Sequence, residues 1–341
     1  MKTVAFFNNK GGVGKTSLVY HLAWMFADLG HQVMAADLDP QANLTSMFLD
    51  EPEIETLFPD SAPPQTVLGV VQPLLKRRGD IERVQFRRIT NQIGLIPGDL
   101  GLSSFEDRLS DAWSQCLDDD PDNSEYGFRV TTAFYRMLAE SSAEAGASIA
   151  LIDVGPNIGA MNRSALVAAD FVVIPLVADL FSLRGLENLG PTLRSWRGGW
   201  NERKPRCKSE TVSPMPEGQM QPIGYVLFNP SVRENRPVKS YQKWANRIPD
   251  LYRKQIVGDN SVLATDVDEN CLAMIKHFKS LMPMAQEVRK PMFHLTPADG
   301  AIGGHAVAVQ DCRRQFHELA TRILKEVGIF DPTATQPGLM P

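Results

Sequence analysis

Short apolar runs alternate along the chain with segments whose apolar residues have helical spacing. The first run, residues 3–8 (TVAFFN), is uninterrupted, as in a strand buried on both faces of a sheet. From Ser17 to Leu29 apolar residues recur every three or four positions, and Gly30 follows as a helix stop. Residues 32–37 (QVMAAD) form the next apolar run. The first forty residues therefore predict a strand, a glycine-rich loop, a helix and a strand, which is a βαβ unit.

The same alternation continues to the end of the chain. It predicts further strands at 93–97, 148–153, 171–176 and 222–228, and further helices at 129–143, 160–168, 183–196 and 305–327. Strands that alternate with helices are typical of an α/β fold with a doubly wound, mostly parallel sheet flanked by helices. We expect a single domain over residues 1–330.

Four segments interrupt this pattern. Residues 50–64 are acidic and proline-rich, residues 117–125 are polar, and residues 198–221 carry Gly, Pro and scattered charge. Each is predicted to be a loop or an addition to the fold. The last segment, 331–341 (DPTATQPGLMP), is predicted to be a disordered tail.

Composition limits the class of protein. The 341 residues are 43% apolar and 22% charged, which is ordinary for a globular protein. No apolar run approaches the roughly 18 residues that a membrane span needs, and the N-terminus lacks the pattern of a signal peptide. The four cysteines are far apart, with no CxxC pair, which argues against a zinc site or a disulfide framework. We expect a cytoplasmic protein in a reducing compartment.

The charge of the chain is unevenly distributed. A net charge of −5 argues by itself against a nucleic-acid binder. Residues 1–200 hold 16 Lys and Arg against 25 Asp and Glu, whereas residues 201–330 hold 19 against 14. The basic excess in the second part is either an ordinary solvated surface or a basic binding face.

The glycine-rich loop carries the clearest chemistry. KGGVGKT, residues 10–16, matches the phosphate-loop pattern G-x-x-x-x-G-K-[ST] except at its first position, which is Asn9. Its three glycines let backbone N–H groups close around phosphate oxygens, and the following helix points its N-terminus at the same anion. Lys15 is predicted to reach the β- and γ-phosphates, and the Thr16 hydroxyl is predicted to bind Mg²⁺.

The lysine that leads this loop, Lys10, makes it similar to the loop of one family. KGGxGK[ST] resembles the deviant Walker A motif of the ParA/MinD superfamily of SIMIBI-class P-loop ATPases, closest to the ParA/Soj-type partition ATPases. Further segments resemble motifs of that family in the same order. They are AADLDPQANLTS (35–46) for the DxDPQ-x-N motif, ALIDVGPNIGAMNRSALVAADFVVIPL (150–176) for Walker B, GYVLFNP (224–230) for the adenine-reading strand, and KPMFHLTPADGAIGGHAVAVQDCRRQF (290–316) for the C-terminal segment.

The resemblance implies roles for individual residues. Lys10 is expected to reach the ATP of the partner subunit in a face-to-face dimer, and Asp39, where Pro40 turns the chain, to orient the attacking water. The implied catalytic residues are Lys10, Lys15 and Asp39, and the implied metal site is Thr16, Asp37 and Asp153. The implied nucleotide contacts are Lys10, Gly11, Gly12, Val13, Gly14, Lys15, Thr16, Ser17, Asn229 and Pro230.

The function that the resemblance implies is a switch. ATP with Mg²⁺ would drive homodimerisation, the dimer would bind DNA without sequence preference, and a ParB-like or cargo-adaptor partner would stimulate slow hydrolysis of ATP to ADP and phosphate. Such ATPases serve plasmid or chromosome partition, or position cargo, at the nucleoid. The candidate contacts to DNA phosphates are Arg184, Arg289, Lys290, Arg313 and Arg314.

The chain departs from the family in two respects. The DxD motif and Walker B are further apart than in compact ParA proteins. The surplus, at about 50–92 and 105–130, is either an accessory partner-binding surface or a lengthening of two helices. The glycine loop begins too early for a preceding helix-turn-helix domain, so sequence-specific operator binding is not expected.

Two alternative functions compete with the switch. A MinD-like regulator that cycles on a membrane needs a basic amphipathic C-terminal helix, and the tail has no Lys or Arg. No membrane partner is therefore expected. An ATP-binding scaffold with little hydrolysis stays open, because slow hydrolysis and none look alike in a sequence.

Overall fold

The computed structural model describes residues 1–229, 238–259, 268–278 and 280–329. The strands within these residues are β1 (Lys2–Phe6), β2 (Val33–Asp37), β3 (Arg87–Arg88), β4 (Ile93–Ile96), β5 (Ile149–Asp153), β6 (Phe171–Val177), β7 (Gln221–Asn229) and β8 (Cys271–Lys276). They form one sheet in the order β3-β4-β2-β5-β1-β6-β7-β8, in which β3 is antiparallel to β4 and the other pairs are parallel.

Helices connect the parallel strands, as right-handed crossovers require. Those in the described residues are α1 (Lys15–Asp28), α2 (Asn43–Phe48), α3 (Glu51–Glu55), α4 (Val67–Leu75), α5 (Glu106–Gln115), α6 (Pro121–Thr131), α7 (Ala133–Ala145), α8 (Ala160–Val167), α9 (Leu180–Arg203), α10 (Val238–Ala245), α11 (Ile248–Tyr252), α12 (Leu281–Glu287) and α13 (Gly304–Glu326). None of them has both the length and the apolar character needed to cross a membrane.

The core is divided by the sheet into two hydrophobic clusters. Side chains alternate between the faces of a strand, so Met34 and Ala36 of β2 enter one cluster while Val33 and Ala35 enter the other. The first cluster packs against α4, α5, α7, α8 and α9, and the second against α1 and α13. Helices therefore cover both faces of a mostly parallel sheet, and the predicted doubly wound α/β fold is confirmed.

The predicted helix 129–143 is two helices, α6 and α7, which meet at Thr132. The Thr132 hydroxyl donates to Phe128 O (2.7 Å) and accepts from Arg136 Nε (3.2 Å). A threonine hydroxyl that bonds back to a carbonyl four residues earlier bends a helix. The polar segment 117–125 is also partly helical, because Asp120 caps α6 and accepts from two backbone N–H groups.

Other boundaries differ from the prediction in the added segments. α9 continues to Arg203, so the predicted loop 198–221 begins as helix. The surplus at about 50–92 contains α3, α4 and β3, and the surplus at about 105–130 contains α5 and most of α6. The edge strand β8 was missed, since its residues alternate only weakly between buried and exposed. The predicted tail, 331–341, lies outside the described residues.

Strand register brings the acidic motifs together at the carboxyl edge of the sheet. β5 lies between β1 and β2, and Asp153 is paired in register with both Phe6 and Asp37. The loop that follows β1 therefore begins beside two carboxylates. This edge is where ligands bind in open α/β sheets.

Candidate active site

The loop between β1 and α1 depends on its glycines. Gly12 and Gly14 have positive φ angles of 70° and 80°. Gly14 O accepts from Leu18 N (2.9 Å), so the hydrogen bonds of α1 begin inside the loop. A Cβ atom on Gly14 would lie 2.9 Å from the Phe228 ring. Any side chain at this position would therefore strain the backbone and collide with β7.

Asn8 connects the start of this loop to β6. Its amide donates to Pro175 O (2.7 Å), and its side-chain oxygen accepts from Lys10 N (3.0 Å). The side chain is buried. Asn8 was not among the predicted site residues, because a single asparagine at a strand end has no distinctive pattern.

Lys15 points into the loop. Its side chain is almost buried, and Nζ lies 3.5 Å from Lys10 O. Burial lowers the pKa of Lys15, whereas the carboxylates of Asp153 and Asp39 act in the opposite direction. The ammonium group therefore lies within the glycine loop, beside the acidic edge of the sheet.

Asp37 and Asp153 are fully buried, and their charges are poorly compensated. Both Asp153 oxygens and Asp37 Oδ1 lack hydrogen-bond partners. Burial, and then the neighbouring Asp37, raises the pKa of Asp153; burial raises the pKa of Asp37 to about 6. The Thr16 hydroxyl lies beside the Asp153 carboxylate and opposes the rise of its pKa. These unpaired oxygens fit a hard cation such as Mg²⁺.

The protein supplies only part of a metal shell. Within the described ranges, no group of three or more His, Cys, Asp or Glu side chains is arranged to hold a metal ion. Mg²⁺ is commonly held by one or two carboxylates with waters and phosphate oxygens. Thr16, Asp37 and Asp153 fit that kind of site, and they do not form an all-protein cage.

Asp39 lies just beyond β2 at the mouth of the loop. Its Oδ1 accepts from Gln41 N (3.0 Å), and a Cβ on Gly155 would lie 3.3 Å from the same oxygen. The chain after β5 therefore approaches Asp39 closely. Asp39 lines the cavity in front of the glycine loop.

That cavity has a volume of about 640 Å³, within the range of small-molecule sites. Seven of the predicted nucleotide contacts form one wall: Gly11, Gly12, Val13, Gly14, Lys15, Thr16 and Ser17. The rest of the lining includes Tyr20, Met47, Met282, Gln286 and Lys290. Asn229 ends β7, but its side chain and Pro230 lie outside the described residues.

Lys10 is directed away from the cavity. Its ammonium group forms an ion pair with Asp179, whose other oxygen caps α9 by accepting from Ser182 N (2.8 Å). A quarter of the Lys10 side chain remains exposed. In this monomer, Lys10 is therefore bound to a helix of its own chain.

Thr45 connects the Asp37 carboxylate to the chain that follows β4. Its backbone N–H and hydroxyl both donate to Asp37 Oδ2 (2.8 and 2.7 Å), and the hydroxyl accepts from Gly98 N (2.8 Å). Thr45 was not among the predicted site residues. The only signal is the position of Thr45 within the DPQANLTS segment.

Two side chains hold the loop between β5 and α8, residues 154–159. Glu106 of α5 accepts from Ala160 N (2.6 Å) and Met161 N (2.8 Å), so it caps α8. The Asn162 amide donates to Gly155 O (2.8 Å) and to Asn157 O (2.7 Å). The surplus segment at 105–130 thus supports the loop that follows Asp153. No local pattern could have indicated this contact.

The five residues predicted to contact DNA lie on different elements, and four of them have acidic partners. Arg184 pairs with Glu187 on α9 (2.6 Å), and Arg314 pairs with Asp311 on α13. Lys290 pairs with Asp299 (2.8 Å), and Arg313 lies 4.0 Å from Asp28. Arg289 follows α12 and is exposed. DNA binding by these residues stays a prediction.

The family model AAA_31, described as an AAA domain, matches residues 1–203. The cell division protein PomZ of Myxococcus xanthus is 28% identical over 190 residues, which cover 56% of this chain and 50% of PomZ. The chromosome-partitioning ATPase Soj of Thermus thermophilus is 29% identical over 203 residues, which cover 60% of this chain and 66% of Soj. The chain spans about half the length of several curated relatives that it matches (47%, 57% and 50%).

Solved structures resemble the chain over nearly its whole length. A protein from Corynebacterium diphtheriae has a TM-score of 0.67 and 22% identity, and the match covers 96% of this chain and 99% of that one. A plasmid partition protein from Borrelia burgdorferi has a TM-score of 0.55 and 17% identity, with 95% and 98% covered. At these identities, the likeness shows the fold alone.

Proposed function

This chain belongs to the AAA_31 family and is a P-loop ATPase of the ParA/MinD type, and from that premise we propose that it is an ATP-driven switch for DNA partition or cargo positioning. The observation that carries the proposal is the convergence of Lys15, Asp37 and Asp153 beneath the glycine loop. A lysine beside buried, unpaired carboxylate oxygens is the arrangement needed for a polyphosphate with its metal ion. We treat residues 1–330 as one domain with insertions.

ATP would place its β- and γ-phosphates in the glycine loop. Lys15 would exchange its contact with Lys10 O for phosphate oxygens, a stronger charge-assisted bond. Backbone N–H groups of the loop and the N-terminus of α1 would bind the same phosphates. The ribose and base would extend along the cavity wall that contains Tyr20 and Met282.

Thr16, Asp37 and Asp153 would hold Mg²⁺ beside those phosphates. When bound, Mg²⁺ withdraws charge from the phosphoryl oxygens. The chain itself keeps the two carboxylates rigid. Thr45 occupies Asp37 Oδ2 and leaves Oδ1 directed at the site, which orients the carboxylate before the cation binds.

Asp39 would orient the water that attacks the γ-phosphate. The Gln41 N–H group holds one carboxylate oxygen and so sets the direction of the group. General-base positioning of this kind contributes roughly 10²–10⁴-fold to a rate. The weak rate expected for this ATPase would then depend on whether Lys10 joins the site.

Lys10 would act on the ATP of a second subunit, in a face-to-face homodimer. A lysine placed in this way neutralises charge as it develops on the phosphates. Because Lys10 pairs with Asp179 in the monomer, dimerisation requires this ion pair to open. The dimer would bind DNA without sequence preference, and a ParB-like or cargo-adaptor protein would stimulate hydrolysis at the nucleoid.

The first test of this proposal is nucleotide binding. Lys15→Ala should abolish binding of ATP with Mg²⁺ in a calorimetric titration, because the phosphates lose their main cationic partner. Lys325→Ala, an exposed lysine on α13, is the matched control and should bind like the parent. Equal affinity in all three proteins would remove the phosphate-loop assignment.

The second test is retention on DNA. The parent should bind unrelated duplexes equally with ATP, lose binding with ADP, and lose affinity steeply as salt rises. Equal binding with both nucleotides, or binding confined to one sequence, would contradict the switch. ATP hydrolysis without DNA binding would indicate a different cargo surface, and ATP binding without hydrolysis would indicate a scaffold.

A further inference from the structure

An exposed basic turn follows α4. The turn, residues 76–80 (KRRGD), presents Lys76, Arg77 and Arg78 to solvent. It packs beside α6 and α7, on the face of the sheet opposite α1 and α13. It is therefore separate from the glycine loop and from the arginines of α13.

The turn is braced from several sides. Arg136, almost fully buried on α7, holds both oxygens of Asp80 (2.7 Å each). The Tyr126 hydroxyl of α6 donates to Leu74 O (2.6 Å), and the Arg77 guanidinium stacks 4.9 Å from the centre of the Tyr126 ring. Such fixed contacts reduce the entropy that the cations lose when they bind a partner.

The backbone of the turn also limits its motion. Arg77 has a positive φ of 51°, which a non-glycine residue adopts only where its surroundings enforce it. Arg78 N donates to Pro73 O (2.9 Å) and closes the end of α4. The cations therefore project from a defined position and not from a loose loop.

The charges of the turn are not compensated. Among the described residues, no carboxylate lies within ion-pair distance of Lys76, Arg77 or Arg78, and the acid of the turn, Asp80, is occupied by Arg136. Arg83 and Arg88 are also exposed further along the same segment, although Arg83 lies 3.5 Å from Glu144. The predicted contacts Arg184, Lys290, Arg313 and Arg314 differ, since each has an acidic partner.

We propose that the basic turn is a contact surface for the phosphates of duplex DNA. This inference rests on the proposed function, which requires a surface for a polyanion without sequence preference. Guanidinium groups match phosphate geometry, and phosphate contacts position a protein on DNA without reading bases. The turn lies within residues 1–200, which are acidic overall, so the net charge of that part of the chain does not indicate a basic surface there.

A pair of matched double variants tests the proposal. Lys76→Glu with Arg78→Glu reverses two charges of the turn, and Arg313→Glu with Arg314→Glu reverses two charges of α13. Both are measured with ATP and Mg²⁺ on a duplex of unrelated sequence across a salt series. Calorimetric ATP affinity and circular dichroism verify that each variant is folded and loaded.

The turn variant should lose about tenfold or more in DNA affinity at ~0.1 M salt, and the salt slope should fall by roughly 2, because two phosphate contacts release fewer counterions. The α13 variant should lose less DNA affinity than the turn variant. ATP affinity should equal that of the parent in both. Lys76→Gln with Arg78→Gln removes the two charges without reversing them, so its DNA affinity should lie between that of the parent and that of the turn variant. It replaces the turn variant if the Glu substitutions prevent folding.

The outcomes separate this inference from the proposed function. If the parent binds DNA with ATP and the turn variants keep its affinity and salt slope, the turn is not the contact surface although the switch stands. If the parent binds no DNA with ATP, the inference about the turn is overturned together with the DNA-binding step of the proposed function, while ATP binding and hydrolysis are judged by their own assays. If the parent retains polyglutamate but not duplex DNA, and the turn variants lose that retention, the turn binds an acidic protein and the DNA inference is overturned.

Discussion

At the scale of single residues, the two lysines of the glycine loop have different partners. Lys15 is almost buried beside acidic groups, and Lys10 is partly exposed in an ion pair with Asp179. Lys15 can hold phosphates within its own chain, whereas Lys10 has first to leave α9. Asp39 lines the same cavity as Lys15, where the Gln41 N–H group holds one of its carboxylate oxygens and its charge opposes the lowering of the Lys15 pKa.

Substitution of Lys10 and of Asp39 should therefore separate two steps. Asp39→Ala removes the carboxylate that would orient water but leaves the phosphate cradle, so hydrolysis should fall by about 10²-fold or more while ATP dimers accumulate. Lys10→Ala should also lose hydrolysis, because the cross-subunit charge is missing and the dimer weakens. Sedimentation velocity with ATP should show Asp39→Ala as dimer and Lys10→Ala mostly as monomer. Two monomeric variants with the hydrolysis rate of the parent would rule out this mechanism.

At the scale of elements, one buried histidine joins α1 to the C-terminal part of the chain. His21 Nδ1 lies 2.7 Å from Ser17 O, to which it must donate, and Nε2 accepts from Met292 N (3.2 Å). The ring stacks on Phe316 of α13 at 5.0 Å between centres. Both nitrogens are used by the neutral ring, so a second proton would break the contact with Met292.

This contact predicts a stability loss in mild acid. Burial lowers the pKa of His21 to about 4, so the unfolded chain takes up a proton below about pH 6.5 while the folded chain does not. The stability from neutral His21 is complete above pH 6.5 and disappears as the pH falls toward 4, a total of roughly 3 kcal/mol. Urea unfolding near pH 7 and near pH 5 should show part of this loss.

His21→Asn is the control for that experiment. The amide is expected to keep part of the hydrogen bonding without titrating, so the variant should be less stable near neutral pH but should lose less between the two pH values. An identical loss in both proteins would assign the pH dependence to other groups.

At the scale of the whole molecule, the Lys10–Asp179 ion pair would oppose the proposed dimerisation. Asp179 has two functions: one oxygen caps α9 through Ser182 N, and the carboxylate holds Lys10. Asn is as good an N-cap as Asp but carries no charge. Asp179→Asn should therefore release Lys10 without weakening α9.

We expect Asp179→Asn to form ATP dimers at a lower protein concentration than the parent, as followed by sedimentation equilibrium. Asp179→Ala removes the cap as well, so its unfolding free energy should fall by about 0.5–2 kcal/mol whereas that of Asp179→Asn should not. A monomer–dimer equilibrium unchanged in Asp179→Asn would mean that the ion pair does not restrain dimerisation.

The sequence by itself determined the architecture and the centre of the site. The spacing of apolar residues, the glycines of the loop and the acids that end β2 and β5 are all local features of the sequence. The boundaries of the six predicted strands agree with those in the structure within two residues. The cavity wall of glycine-loop residues follows from the same local pattern, because neighbours along the chain form the loop and the start of α1. The local pattern fails at Thr132, where the helical spacing of apolar residues continues but the backbone bends between α6 and α7.

Only the tertiary structure decided which distant groups complete the site. Lys10 meets Asp179, Thr45 meets Gly98, Glu106 meets the start of α8, and His21 meets Met292, across separations of 53 to 271 residues. Such pairs arise from strand order and helix packing, and the local sequence around one partner does not predict the other. The same holds for the basic turn, whose cations stay unpaired because Arg136, distant in sequence, occupies Asp80. The chemistry of the glycine loop depends on residues that are neighbours in the sequence. Which charges are paired depends on residues that become neighbours only when the chain has packed.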